Sequence, residues 1–182
     1  MRFKICCIAS IDEAALALSH GAAAIGLVSA MPSGPGPIDE GLIREIAAWV
    51  PPGTRTFLLT SRTSPQVIAA QVVAAGVETV QIVDALSPGS HAALRALIPG
   101  VRLVQVVHVR GPESVREALE VAPLVDELLL DSGNPSAEVK ELGGTGRVHD
   151  WSLSRRIVQE SGAPVWLAGG LRSENVAAAV EA

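Results

Sequence analysis

Two adjacent thiols, Cys6 and Cys7, close the apolar run MRFKICCI, with Lys4 two residues before the first. A thiol beside a cation ionises more readily and becomes a base or a nucleophile. Side chains alternate along a strand, so Lys4, Cys6 and Ile8 are expected on one face and Ile5 and Cys7 on the other. Only one cysteine then faces a working surface. The competing reading makes both thiols small buried hydrophobes and Lys4 half of a buried ion pair. Asp131 ends the run ELLLD, where a buried carboxylate is costly without a purpose. Burial would raise its pKa towards that of a general acid. Equally, it can cap the turn that leads to Gly133.

Two glycine-bearing segments follow. GGTG (143–146) offers a close-approach backbone for an anion or a closing lid. AGGLRSENV (168–176) reads as a strand end, two glycines and a helix opening at Ser173 and Glu174, which would present N–H groups to a phosphate. His108 and His149 have no second His or Cys at metal-ligand spacing, so no metal is expected and both read as structural. His20 and His91 fall on helical stretches and read as surface residues.

The elements that must position these groups alternate along the chain. Short β-branched runs occupy 3–8, 24–28, 55–60, 79–84, 101–109, 127–131 and 164–168. Most lack polar alternation, as parallel strands covered on both sides do. Helices are expected at about 11–20, 39–49, 65–75, 88–98, 113–122, 151–161 and 173–181. Ser10 with Glu13 has capping-box spacing, Gly21, Gly76 and Gly162 sit at helix ends, and Pro51-Pro52-Gly53 stops another helix. Seven βα units suggest a doubly wound sheet or an eightfold barrel. The first turn, IASIDE, lacks the glycines of a dinucleotide site. In a barrel the working residues gather at the C-terminal strand ends, where Cys6, Asp131, Gly169 and Gly170 stand.

Composition narrows the class. Of the 182 residues, 48% are hydrophobic and 18% charged, which excludes a disordered chain. A net charge of -5 and the absence of a Lys/Arg run give no nucleic-acid face. No stretch reaches the roughly 18 apolar residues of a membrane span. Neighbouring cysteines make a poor disulfide framework, and with no visible signal peptide the expectation is a cytoplasmic protein.

Taken in order, KIC, GA-x-AIG-x-V, VQ, LLLD, ELGGTGRVHDWSL and LAGGL-x-x-ENV resemble the phosphoribosylanthranilate isomerase family of tryptophan biosynthesis across almost the whole chain. The resemblance implies a TIM-type (βα)8 barrel and a cofactor-independent Amadori rearrangement of an aminoaldose phosphate to an aminoketose phosphate. It assigns Cys6 as the base that removes the sugar C2 proton and Asp131 as the acid that protonates the ring oxygen. Lys4, Gln81, Gly144, Thr145, Gly169 and Gly170 are implied to bind the substrate or its phosphate. Cys7 replaces a glycine usual in the family. The implied partner is a small phosphorylated sugar, with no metal or cofactor, no nucleic acid and no membrane, and the chain a monomer or homodimer.

Three departures stand out. The loop PSGPGP (32–37) lacks the family arginine that holds the anthranilate carboxylate, a role open to Arg62 or lost with a change of aglycone. Val83 replaces the histidine that usually ends the fourth strand. The chain reaches Ala182 inside its seventh helix, so a single barrel domain over 1–182, truncated before the eighth strand, is expected.

Overall fold

The computed structural model describes residues 2–181. The described residues form two compact units, one of residues 2–31 and 35–103, the other of residues 32–34 and 104–181.

The first unit runs β1 (Lys4–Ile5), α1 (Ile11–Ser19), β2 (Ala24–Val28), α2 (Glu40–Trp49), β3 (Arg55–Thr60), α3 (Pro65–Ala75), β4 (Thr79–Ile82) and α4 (Ser90–Leu97). β1 pairs with β2, β2 with β3 and β3 with β4, all parallel. Each helix returns the chain so that the next strand lies beside the last, which is the βα logic of the sequence. Local chemistry fixes the ends. The Ser10 hydroxyl accepts the Glu13 N–H at 3.1 Å while the Glu13 carboxylate accepts the Ala9 N–H at 2.7 Å. Two donors at the open start of α1 are thereby satisfied. Gly76 ends α3 with φ 68°, a conformation that favours glycine. Ile25, Leu27, Phe57, Leu58, Ile68 and Ile82 are fully buried and make an aliphatic core around one ring.

The second unit begins within β5 (Arg102–His108). It continues through α5 (Glu113–Val121), a short 3-10 turn (Ala122–Leu124), β6 (Glu127–Asp131), α6 (Trp151–Ser161), β7 (Val165–Leu167) and α7 (Val176–Glu181). β5 pairs with β6 and β6 with β7, again parallel. Val107, Leu128, Leu130, Val115, Ala118 and Ile157 bury the helices against the strands.

Three expectations change. The first strand is regular only over Lys4–Ile5, because Cys7 has φ 60° and breaks the extended chain. The seventh helix opens at Val176 and not at Ser173. Asn175 holds the intervening turn, accepting the Arg172 N–H at 2.7 Å and donating to the Gly170 carbonyl at 2.9 Å. His91 is buried at 6% exposure, because it lies on the same inward face of α4 as Leu94.

Candidate active site

In the first unit, β1 and β4 bring Lys4 and Gln81 together, with Lys4 Nζ donating to Gln81 Oε1 at 2.6 Å. The same ammonium lies 4.7 Å from the centre of the Phe57 ring, and the Arg55 guanidinium 4.8 Å from it. Cation–ring attraction and a charge-assisted hydrogen bond therefore fix Lys4. Its partners in these contacts are an amide and an aromatic ring rather than a carboxylate.

Cys6 follows β1 and is exposed; Cys7 is half-buried. The Cys7 sulfur lies 3.6 Å from the Pro35 carbonyl. Alternation requires an extended backbone, and φ at Cys7 is left-handed. Cys7 is the one described non-glycine residue in that conformation, which fits a position the family resemblance gives to glycine. Its pKa is driven up, first by the hydrogen bond with Cys6, then by burial and by negative charge on Cys6. Lys4 acts in the opposite direction. The Cys7 thiol therefore keeps its proton. Two glycines make room for the thiols. A Cβ on Gly26 would lie 2.8 Å from Cys6 Sγ, and one on Gly36 would lie 2.6 Å from Cys7 Cβ.

In the second unit, Asp131 ends β6 and stands in register with His108 of β5. Its Oδ1 accepts the Ser132 N–H at 2.7 Å, the local turn bond that the sequence left as an alternative. The glycine motifs fence this carboxylate. A Cβ on Gly143 would lie 2.9 Å from Asp131 Oδ2, and one on Gly169 would lie 3.0 Å from Oδ1. Thr145 ties the lid segment to the strand end, its hydroxyl 3.0 Å from that of Ser132 and accepting the Arg147 N–H at 3.3 Å. Gly144 has φ 67° beside it. Gly170, φ 62°, lies against the Arg147 backbone, where a Cβ would come within 2.7 Å. Asp131, Gly143, Thr145, Gly169 and Gly170 thus form one cluster, with Ser132 as the connecting residue that sequence reading missed. A hydroxyl after a strand-end carboxylate was its one available signal.

His149 belongs to the same neighbourhood. Its Nε2 lies 2.7 Å from the Ser154 hydroxyl, and its pKa is lowered by burial against the opposing pull of Asp131 and Asp150. A cleft of about 390 Å³ opens beside it, lined by Arg110, Ser132, Asn134, Arg147 and His149 among others. His108 is buried, and Gly133 passes so close that a Cβ there would reach 2.4 Å from its Nδ1. Among the described residues, no three His, Cys, Asp or Glu side chains are grouped to hold a metal ion. No described helix is long and apolar enough to cross a membrane.

The family model described as "PRAI: N-(5'phosphoribosyl)anthranilate (PRA) isomerase" matches residues 61–182. An N-(5'-phosphoribosyl)anthranilate isomerase 2 of Methanosarcina mazei is 35% identical over 99% of this chain and 79% of its own length. One from Haloarcula marismortui is 35% identical over 99% of this chain and 80% of its own. Among solved structures, phosphoribosyl anthranilate isomerase from Thermotoga maritima superposes with a TM-score of 0.84, at 24% identity, over 100% of this chain and 82% of that one. Another isomerase structure, holding reduced 1-(o-carboxyphenylamino)-1-deoxyribulose 5-phosphate, gives 0.80 at 23% identity, over 100% of this chain and 81% of that one. The strands and helices described above therefore have the TIM-like barrel fold of these isomerases, and the chain belongs to the N-(5'-phosphoribosyl)anthranilate isomerase family.

Proposed function

We propose that this protein isomerises phosphoribosylanthranilate in tryptophan biosynthesis, with Asp131 as general acid and Cys6 as general base. The observation that carries the reading is the fence around Asp131. The lid segment and the glycine pair after β7, 12 and 38 residues away in sequence, both approach one carboxylate through residues that lack a Cβ. Such clearance leaves room for a substrate atom at the carboxyl. A protonated Asp131 donates to the ring oxygen, the ring C–O bond opens and the nitrogen lone pair forms the imine. A Cys6 thiolate then takes the C2 proton, and the resulting enol becomes the aminoketone. Atoms balance within the substrate, so the step consumes no cofactor.

A related enzyme binds a reduced carboxyphenylamino-deoxyribulose phosphate, a ligand with the chemical skeleton of the product. Gly144, Thr145, Gly169 and Gly170 supply backbone and hydroxyl contacts for the phosphate sugar, while Lys4 and Gln81 act as a hydrogen-bonded pair towards the substrate. Arg62 is exposed in the segment after β3 and takes over the anthranilate carboxylate, the arginine of the 32–37 loop being absent. The protein works in the cytoplasm as a monomer or homodimer.

The test follows the loss of phosphoribosylanthranilate fluorescence with purified protein. Cys6→Ser and Asp131→Asn should each lower kcat by about 100- to 10,000-fold, the usual contribution of a positioned acid or base. Turnover that survives either change intact would remove that residue from the mechanism. Arg62→Ala should raise KM with little change in kcat; an unaffected KM would move carboxylate recognition elsewhere.

A further inference from the structure

Ser132 and Thr145 join the end of β6 to the lid segment through their hydroxyls, which lie 3.0 Å apart. Each hydroxyl carries one proton and two lone pairs. One of the two protons lies in the bond between them, whichever oxygen donates. Thr145 Oγ1 also accepts the Arg147 N–H at 3.3 Å, which occupies a lone pair and strengthens Thr145 as the donor. The serine proton is then the one left to give, and among the described residues neither hydroxyl meets a further acceptor. Ser132 is only 9% exposed, so bulk water is a poor outlet for that proton. The acid is its neighbour. A single point, where a Cβ on Gly169 would lie, is 2.9 Å from Ser132 Oγ and 3.0 Å from Asp131 Oδ1. Ser132 is also part of the wall of the 390 Å³ cleft. The turn after β6 has no need of this hydroxyl, because its bond to Asp131 comes from the serine backbone N–H.

We propose that Ser132 is a further catalytic residue, its hydroxyl donating a hydrogen bond to the same ring oxygen that Asp131 protonates. As the ring C–O bond breaks, its electron pair moves onto that oxygen. One lone pair there takes the Asp131 proton while another accepts the Ser132 O–H, and the serine keeps its proton throughout. A donor already held in place stabilises the charge that develops in the transition state more than it stabilises the neutral ether of the substrate. Thr145 is a positioning residue. Its bond to Ser132 Oγ turns the serine proton away from the lid segment and towards the substrate.

The role of Ser132 rests on the isomerase reading, and the experiment keeps the two apart. Turnover of phosphoribosylanthranilate and urea midpoints are measured for wild type, Ser132→Ala, Ser132→Thr and Thr145→Val. Wild-type protein without turnover would overturn the isomerase reading and the serine's role with it. Where the wild type turns over, Ser132→Ala should lower kcat about 100-fold, as loss of a donor to developing charge does, with KM within about twofold. The backbone N–H to Asp131 survives this change, so the loss belongs to the hydroxyl. Ser132→Thr keeps a hydroxyl and should recover most of the lost rate. Thr145→Val leaves the serine proton present but unaimed, and should lower kcat less than Ser132→Ala does. An unchanged kcat in Ser132→Ala, or a raised KM alone, would overturn the role of Ser132 and leave Asp131 as the acid. Equal loss of rate in both serine variants, with lowered urea midpoints, would make the residue structural and overturn it as well.

Discussion

Cys7 occupies a backbone conformation that costs a non-glycine L-residue about 1–2 kcal/mol. Glycine removes that cost but gives back part of it, about 0.5–1 kcal/mol, through the extra freedom of the unfolded chain. Cys7→Gly should therefore raise stability by about 0.5–1 kcal/mol, read as a higher urea midpoint at unchanged slope, with turnover within about twofold of wild type. Destabilisation would mean that the contact of Cys7 with the Pro35 carbonyl outweighs the backbone strain. The carboxylate fence makes a second prediction of the same kind. Gly169→Ala places a methyl about 3.0 Å from Asp131 Oδ1 and from the Ser132 N, at a φ of 87°. The carboxyl must shift, and displacement of a reacting group by about 1 Å typically costs about 100-fold in rate. A kcat close to wild type in correctly folded Gly169→Ala protein would show that the acid does not need this clearance.

At the scale of elements, the segment after β1 and the segment after β2 are coupled through one packing contact, Cys7 against Gly36. Gly36→Ala should destabilise wild-type protein severely, since the new methyl would sit 2.6 Å from Cys7 Cβ and 2.8 Å from its sulfur, with φ 86° adding strain. In a Cys7→Gly background the same change should cost less, with a coupling energy of about 0.5–3 kcal/mol for residues in direct contact. Simple additivity in the double-mutant cycle would deny the contact. This coupling also shows where sequence reading stops. Strands over 24–28, 55–60 and 127–131 were legible to the residue, because β-branched runs between glycine, proline and capping signals leave little freedom. The motifs around 131, 143 and 169 were legible as pieces, but that they enclose one carboxylate depends on contacts between residues far apart in the chain. The orientation of Cys7 was not legible, since alternation presumes an extended backbone and one φ of 60° undoes it. His91 was missed for a similar reason: a histidine next to serine and alanine looks exposed until the inward face of its helix is known.

At the scale of the whole molecule, three perturbed groups shape stability against pH, two on the acid side and one on the alkaline side. His149 has its pKa lowered, chiefly by burial, so below its ordinary value near 6.5 the unfolded chain binds a proton that the folded chain refuses. Stability should fall as pH drops through that region, because the unfolded state then holds more protons. Asp150, held below its ordinary value of 3.8 by hydrogen bonds from Ser152, acts in the same direction only at more acid pH. The loss of stability that begins as pH falls below about 6.5 therefore belongs to the histidine. Cys7 works at the other end. Its pKa is raised by Cys6 and by burial, so above about pH 9 the unfolded chain releases a proton that the folded chain retains, and stability declines with rising pH. Urea midpoints measured from pH 5 to pH 10 under reducing conditions should trace both limbs. His149→Gln should flatten the acid limb and leave the alkaline one, and Cys7→Gly the reverse. Limbs that keep their slopes in these variants would assign the proton uptake and release to other groups.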